Sequence, residues 1–217
     1  MSPSTARPTA DRIAPSLLLA LTVVPTLAGA ARLVWLVTGE VRPDSARFAA
    51  GAAPLVLHIL AACGFCILGA LQFAPALRRR RSGWHRAAGR FLAPLGLFAA
   101  LSGLWITLLY PPGVNDGALL YGLRLVFGSA MAASILMGMD AIRRRDFPAH
   151  GDWMTRGYAI GMGAGTQVVV FIPWTLLFGP APELPRALLM GAGWGLNLVL
   201  AEALIARRRT AGRLLPT

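Results

Sequence analysis

The stretch "AAPLVLHILAACGFCILGALQFAPAL", residues Ala52–Leu77, decides the fold class of this chain. It contains no Asp, Glu, Lys or Arg, and its one basic side chain is that of His58. A helix needs about 20 consecutive apolar residues to cross the hydrocarbon core of a bilayer. Because backbone groups in lipid must form hydrogen bonds within the segment, the stretch predicts a membrane-spanning helix rather than a strand.

Five further apolar runs have a similar length and predict five more spans. They are Ile13–Val37, Ala87–Tyr110, Ala118–Ile142, Gly157–Phe178 and Ala187–Ala206. The segments between the runs are short, so consecutive helices are expected to be antiparallel neighbours in one bundle. The sequence therefore predicts an all-α membrane protein, a six-helix up-down transmembrane bundle.

The predicted domain organisation is simple. A tail over residues 1–12 precedes the six-helix transmembrane domain, residues 13–209, and a second tail covers residues 210–217. The long first apolar run is interpreted as a membrane helix, because the apolar core of a secretory signal is usually only about 7–15 residues long.

Charge is scarce and strongly asymmetric. The mean hydropathy is +0.60 and only 14% of residues are charged, against roughly 25% in soluble domains. The net charge is +12, and every one of the 21 basic residues is an arginine. A basic balance can indicate nucleic acid, but these arginines flank apolar runs, so we expect no nucleic-acid partner and take the lipid bilayer as the partner.

The arginines also predict an orientation. Alternate connecting segments, together with the two tails, carry 16 arginines, whereas the other three connecting segments carry three. Positively charged loops remain on the cytoplasmic side. Both termini are therefore expected in the cytoplasm, and the protein is expected in a bacterial cytoplasmic (inner) membrane.

The only two cysteines, Cys63 and Cys66, have the spacing of a redox pair. They lie midway along an apolar run with no polar neighbour to activate a thiol. We interpret them as small packing residues of a helix and expect no functional disulfide.

Two polar segments, "GWHRAAGR" (83–90) and "AHGDWMTR" (149–156), precede or begin apolar runs on the predicted cytoplasmic side. Ser82 is a plausible start for one helix, and Asp146 with Pro148 for another, which places a histidine in each first turn. The segments predict one inner cluster with these members: His85, Arg86, Arg90, His150, Asp152 and Arg156. Asp152 is close enough in sequence to pair with Arg156.

Three interpretations of the inner cluster stay open. Arginines beside two helix N-termini favour an anionic ligand or a lipid headgroup. Alternatively, His85 and His150 could be the axial ligands of a b-type haem in an electron-transfer protein. As a third alternative, Asp146, Asp152 and Glu202 could neutralise the arginines, and the cluster would then be part of a structural membrane subunit. No other metal site and no specific enzymatic activity is predicted.

A second polar layer is expected near the outer face. Arg32, His58 and Arg124 each lie several residues inside a predicted helix end. Because ionisable groups at membrane depth seek polar partners, these three residues are predicted to converge on one outer pocket, separate from the inner cluster.

The order of "LHIL", "GALQF", "HRAAGR" and "AHGDWMTR" resembles the bacterial family known as domain of unknown function 2306, a family of multi-pass predicted membrane proteins. The resemblance covers about residues 58–174. It implies a membrane protein without an established activity. Besides the cluster residues above, it marks Gln72, Phe73, Gly89, Trp153 and Met154 as motif or packing residues. The chain departs from the family pattern at Gln167, where the family often carries an arginine.

Overall fold

The computed structural model describes residues 10–40, 46–48, 51–73 and 82–213. All elements in these ranges are helical. The seven α-helices are α1 (Ala10–Thr38), α2 (Ala53–Gln72), α3 (Ser82–Leu109), α4 (Ala118–Arg143), α5 (Phe147–Gly161), α6 (Gly163–Phe178) and α7 (Glu183–Arg213). A 3-10 turn, Ala46–Phe48, lies between α1 and α2. The outer parts of both predicted tails, 1–9 and 214–217, and the predicted end of the second run, 74–77, lie outside the described residues.

Five helices, α1, α2, α3, α4 and α7, are long and apolar enough to cross a membrane. The pair α5 and α6 meets the same criteria as one unit, and its two halves are bent by 42° at a short break. Many large apolar side chains of these helices point outwards, among them Phe91, Leu109 and Leu176. Such an apolar exterior is stable against lipid and costly against water.

The predicted continuous helix over Gly157–Phe178 is wrong, because the run is interrupted at Met162. Helix α5 begins at Phe147, where the Asp146 carboxylate caps it by accepting a hydrogen bond from Ala149 N at 3.0 Å. The predicted helix starts at Ser82 and after Asp146 are confirmed.

Side chains from other helices stabilise the break between α5 and α6. Asn197 Nδ2 of α7 donates to Ala159 O at 3.0 Å, and Cys66 Sγ of α2 donates to Gly161 O at 3.3 Å. Gly165 N bonds to Met162 O, three residues back, instead of following the α-helical pattern. Thr166 Oγ1 also donates to Asn197 Oδ1 at 2.7 Å. Carbonyl groups at the bend therefore have partners without water, as an apolar environment requires.

Small residues bring the helices close together. A side chain on Gly69 would overlap the ring of Tyr158, and one on Gly161 would overlap Phe65. The core that forms around these contacts includes Phe65 and Ile135, which are 1% and 0% exposed. Because lipid does not drive apolar helices together, close van der Waals packing of this kind holds a membrane bundle.

The antiparallel helices give the bundle two ends, which we name by a residue at each. The Asp116 end contains the α3–α4 and α6–α7 connections, which are joined by Asn115 Nδ2 donating to Ala181 O at 3.3 Å. The His150 end contains the start of α5 and the end of α7. Arg186 and Arg209 of α7 are 23 positions apart, about 35 Å along a helix, close to the thickness of a bilayer core.

Candidate functional sites

A buried carboxylate, Asp116, binds arginines from three different elements. Its side chain is 4% exposed. Oδ2 accepts a hydrogen bond from Arg124 Nη1 of α4 at 2.6 Å, and Oδ1 accepts one from Arg186 Nε of α7 at 3.0 Å. Arg47 Nη1, from the 3-10 turn, lies 3.8 Å from Oδ2 and donates to Pro111 O. One acid thus connects α4, α7 and the segment that precedes α2.

The Asp116 carboxyl is held in its ionised form. Burial raises its pKa, but the hydrogen bonds and positive charges of Arg124 and Arg186 outweigh burial, and the net pKa is lower than that of an ordinary aspartate. Gly113 N also donates to Oδ2 at 3.1 Å. The arginines are therefore fixed around a permanent negative charge.

A cavity of about 380 Å³ lies beside this ion cluster. Arg47, Asp116 and Arg124 line it together with Tyr110 and Tyr121. The Glu183 carboxylate fills the space that a side chain on Gly117 would occupy, which places a second acid close to the cluster. Among the described residues here, three arginines surround Asp116, and Glu183 lies beside it.

Arg32 belongs to the same end of the bundle. Its guanidinium carbon lies 5.8 Å from the centre of the Phe48 ring, and that of Arg47 lies 4.7 Å from it. Phe48 is 4% exposed and packs against Tyr110. Cation–π contacts with one buried ring therefore connect Arg32 to the arginines around Asp116.

His58 and Arg124, which are predicted to share one pocket with Arg32, line two different cavities. His58 Nδ1 lies 2.9 Å from Ala99 O and 3.2 Å from Ser102 Oγ, both on α3, and the ring lines a different cavity. The histidine side chain is short, and the nearest acceptor for its N–H is a neighbouring backbone carbonyl. Arg124 is longer and reaches the loop that carries Asp116.

The second cavity, of about 150 Å³, lies against the break between α5 and α6. Its walls come from α1, α2 and the break, and they include His58, Thr22, Cys63, Cys66 and Met162. Both cysteines are free thiols. Although a histidine and two cysteines share this cavity, no group of three or more His, Cys, Asp or Glu in the described ranges could hold a metal ion.

At the His150 end, two ion pairs join α5 to α7. Asp152, only 7% exposed, accepts hydrogen bonds from Arg209 Nε at 3.0 Å and Nη2 at 2.7 Å. Arg156 forms a bidentate pair with Glu202, at 2.6 and 2.9 Å. The predicted pair between Asp152 and Arg156 is therefore wrong, because each residue has a better-oriented partner one helix away.

His150 is fixed on α4. Its Nδ1 lies 2.8 Å from Gly138 O, so Nδ1 carries the proton of this hydrogen bond. A side chain on Gly138 would overlap Met154, which explains the close approach of α4 and α5. Three of the six predicted cluster residues lie on α5, and their contacts fix them to α4 and α7. They are His150, Asp152 and Arg156.

The other three cluster residues lie at the start of α3. His85 is half-buried in the first turn, and Arg86 and Arg90 are exposed. Within the part of the chain that the structure describes, Arg86 and Arg90 form no ion pair. These three residues therefore lie at the expected helix start, and no described contact joins Arg86 or Arg90 to the α5 residues.

The motif residues differ in their surroundings. Phe73 stacks on Tyr158 with ring centres 4.9 Å apart, and the Arg156 guanidinium lies 4.6 Å above the Trp153 ring. Gln72, the last residue of α2, has both amide atoms buried without a hydrogen-bond partner among the described residues. No atom lies within 4 Å of where a side chain on Gly89 would begin. Gln167 is buried and donates to Met190 O at 3.1 Å.

Sequence reasoning missed Asp116, Arg47, Arg186, Asn197 and Arg209. The signal for Asp116 was an acid in the arginine-poor segment "YPPGVNDG", while Arg47 and Arg186 lie in the other two arginine-poor segments. If three loops meet at one end of a bundle, their few charges are expected to pair. Asn197 is the only amide side chain within the apolar part of α7, and a polar group there needs a partner.

Comparison with known proteins identifies the family. A family described as "Predicted membrane protein (DUF2306)" matches residues 55–205. This is more than half of the chain, which therefore belongs to that family. The match extends beyond the segment of resemblance noted from motifs and includes most of α7. No curated protein and no solved structure matches the chain.

Proposed function

We propose that this member of the DUF2306 family is a six-span protein of a bacterial cytoplasmic membrane that binds a small anion at the Asp116 end. In this proposal α5 and α6 form one broken span, both termini are cytoplasmic, and the Asp116 end faces outwards. The observation that carries the anion-binding function is the cluster of three arginines around one buried carboxylate, beside a cavity of about 380 Å³.

The orientation is supported by charge and by distance. Arginines are concentrated in the tails and in the segments at the His150 end, as expected for the cytoplasmic face. The ion clusters at the two ends of α7 are separated by about one bilayer core. Fusing alkaline phosphatase after Arg209 should give an inactive reporter and fusing it after Pro112 an active one, and the opposite pattern would overturn the orientation.

The chemistry of the Asp116 site favours oxyanions. A guanidinium group presents a planar fork of donors that suits carboxylate and phosphate oxygens. Arg124 and Arg186 each donate one hydrogen bond to Asp116, at 2.6 and 3.0 Å, and in this proposal further N–H groups of both bind the ligand. Asp116 orients the arginines, whose positive charges attract the anion.

A thermal-stability panel in detergent tests the anion function. Phosphate, acetate and sulfate are added at constant ionic strength, with chloride as the reference salt. At least one oxyanion should raise the melting temperature of the native chain, and Arg124→Gln should reduce that shift. Arg144→Gln is the matched control, because Arg144 forms an exposed pair with Asp140 at the opposite end. Equal shifts in chloride and in every oxyanion would reject the site.

The contacts at the His150 end favour the structural interpretation of the predicted inner cluster. Arg156 pairs with Glu202, and Asp152 pairs with Arg209, which lies outside the predicted cluster, so one cluster arginine is already neutralised. In this proposal the ion pairs hold α5 against α7. Arg86 and Arg90, which are exposed, contact anionic lipid headgroups at the membrane surface.

Ligation of haem b by His85 and His150 is the second candidate function. It is favoured by one observation: His150 Nδ1 donates to a backbone carbonyl, Gly138 O, as metal-ligating histidines usually do, leaving Nε2 for the metal. An absorption spectrum of the purified protein tests it. A Soret band that disappears in His150→Ala would support ligation, and a colourless protein from cells supplied with haem precursor would exclude it.

A further inference from the structure

The cavity at the helix break has a size and lining that specify a ligand. It has a volume of about 150 Å³, comparable with cavities that admit benzene. Most of its lining is apolar and comes from Leu21, Pro25, Ile59, Ala62 and Met162. No Asp, Glu, Lys or Arg lines it. A charged ligand would therefore be unstable here, and a neutral molecule of about one ring fits.

The polar groups of the lining are mostly satisfied by protein. Thr22 Oγ1 donates to Leu19 O at 2.7 Å, and Cys66 Sγ donates to Gly161 O at 3.3 Å. His58 differs from them. Its Nδ1 is bonded to Ala99 O, and since a carbonyl only accepts, the proton of the neutral ring lies on Nδ1. Nε2 is then an acceptor, and no described residue donates to it.

The position of the cavity fits a ligand that arrives from the membrane. Helix α1, which forms one wall, is largely exposed along its length, so a ligand can approach the cavity from this side of the bundle. The break lies between helices of 15 and 16 residues, which puts it near the middle of the broken span. Membrane proteins often place ligands at such interrupted helices, where irregular backbone lines a cavity.

We propose that this cavity is a binding site for a neutral single-ring alcohol or phenol whose hydroxyl group donates a hydrogen bond to His58 Nε2. The apolar walls hold the ring, and the hydroxyl satisfies Nε2, to which no described residue donates a hydrogen bond. The site is separate from the Asp116 cavity in both lining and chemistry, so it stands whether or not the Asp116 end binds an anion.

The test uses two probes of nearly equal size, phenol and toluene, of which only phenol can donate. Binding to the full chain in detergent is measured by equilibrium titration. Ala62→Leu fills the cavity and leaves His58 in place, so this variant gives the baseline for probes dissolved in the micelle. Above that baseline, phenol should bind the native chain about 5- to 10-fold more tightly than toluene. One net hydrogen bond accounts for a difference of this size.

His58→Asn is the decisive variant. The asparagine amide can keep the bond to Ala99 O, because its nitrogen lies near the position of Nδ1, but it has no atom at the position of Nε2. The preference for phenol should fall to about 1- to 2-fold while toluene still binds. Equal binding of both probes by the native chain, an unchanged preference in His58→Asn, or no binding above the Ala62→Leu baseline would each overturn the proposal.

Discussion

At the scale of single residues, Asp116 has the largest number of charged partners described. It lies in a connecting segment, outside the spans, and it holds arginines from α4, α7 and the 3-10 turn. Arginine side chains that converge without a counter-charge repel one another. We therefore interpret Asp116 as the residue that allows these elements to meet at one end of the bundle.

Replacing Asp116 by asparagine should destabilise the protein by about 2–4 kcal/mol at neutral pH, because it leaves partly buried arginines without their counter-charge. The carboxyl pKa is lowered by its arginines, so its contribution is complete above the ordinary carboxyl value and is lost as pH falls through the lower, folded value. Thermal unfolding of both proteins from pH 7 downwards measures this. The difference in stability between the native chain and Asp116→Asn should shrink below about pH 4. A difference that stays constant with pH would show that the charge of Asp116 does not contribute to stability.

At the scale of elements, the break between α5 and α6 depends on side chains that are distant in sequence. Asn197 bonds to Ala159 O and Thr166 Oγ1. Asn197→Ala should destabilise the protein by about 1–3 kcal/mol, because a buried carbonyl then lacks its partner. Leu196→Ala is the control, since Leu196 is exposed on the same helix. Equal melting temperatures for Asn197→Ala and the native chain would show that the break needs no such support.

The sequence predicted the positions of the helices better than it predicted the helix break or the ion pairs between helices. Apolar run length located the helices, and the capping residue Asp146 located the start of α5, because both signals are local. The bend at Met162 lies inside a continuous apolar run, where composition carries no sign of it beyond the glycines at 161, 163 and 165. The ion pairs of Asp152 and Arg156 join residues on different helices, so spacing along one helix misassigned them.

At the scale of the whole molecule, charged contacts hold the bundle at both ends. In the Asp152–Arg209 pair the side chain of the acid is nearly buried, whereas both members of the Asp140–Arg144 pair are exposed. A double-mutant cycle with Asp152→Asn and Arg209→Gln should give a coupling of about 1–2 kcal/mol. The same cycle on Asp140 and Arg144 should give about 0.3–0.5 kcal/mol. Equal couplings would mean that the α5–α7 pair does not brace the bundle.

The most direct test of the anion-binding account is a calorimetric titration of the full chain in detergent with the oxyanion that gives the largest thermal shift. The native protein and Arg144→Gln should bind one equivalent per chain with the same affinity. Arg124→Gln combined with Arg186→Gln should bind at least about 10-fold more weakly, the loss of one or two charge-assisted hydrogen bonds. Unchanged affinity in that double variant would contradict the account, because it would place the anion away from Asp116 and its arginines.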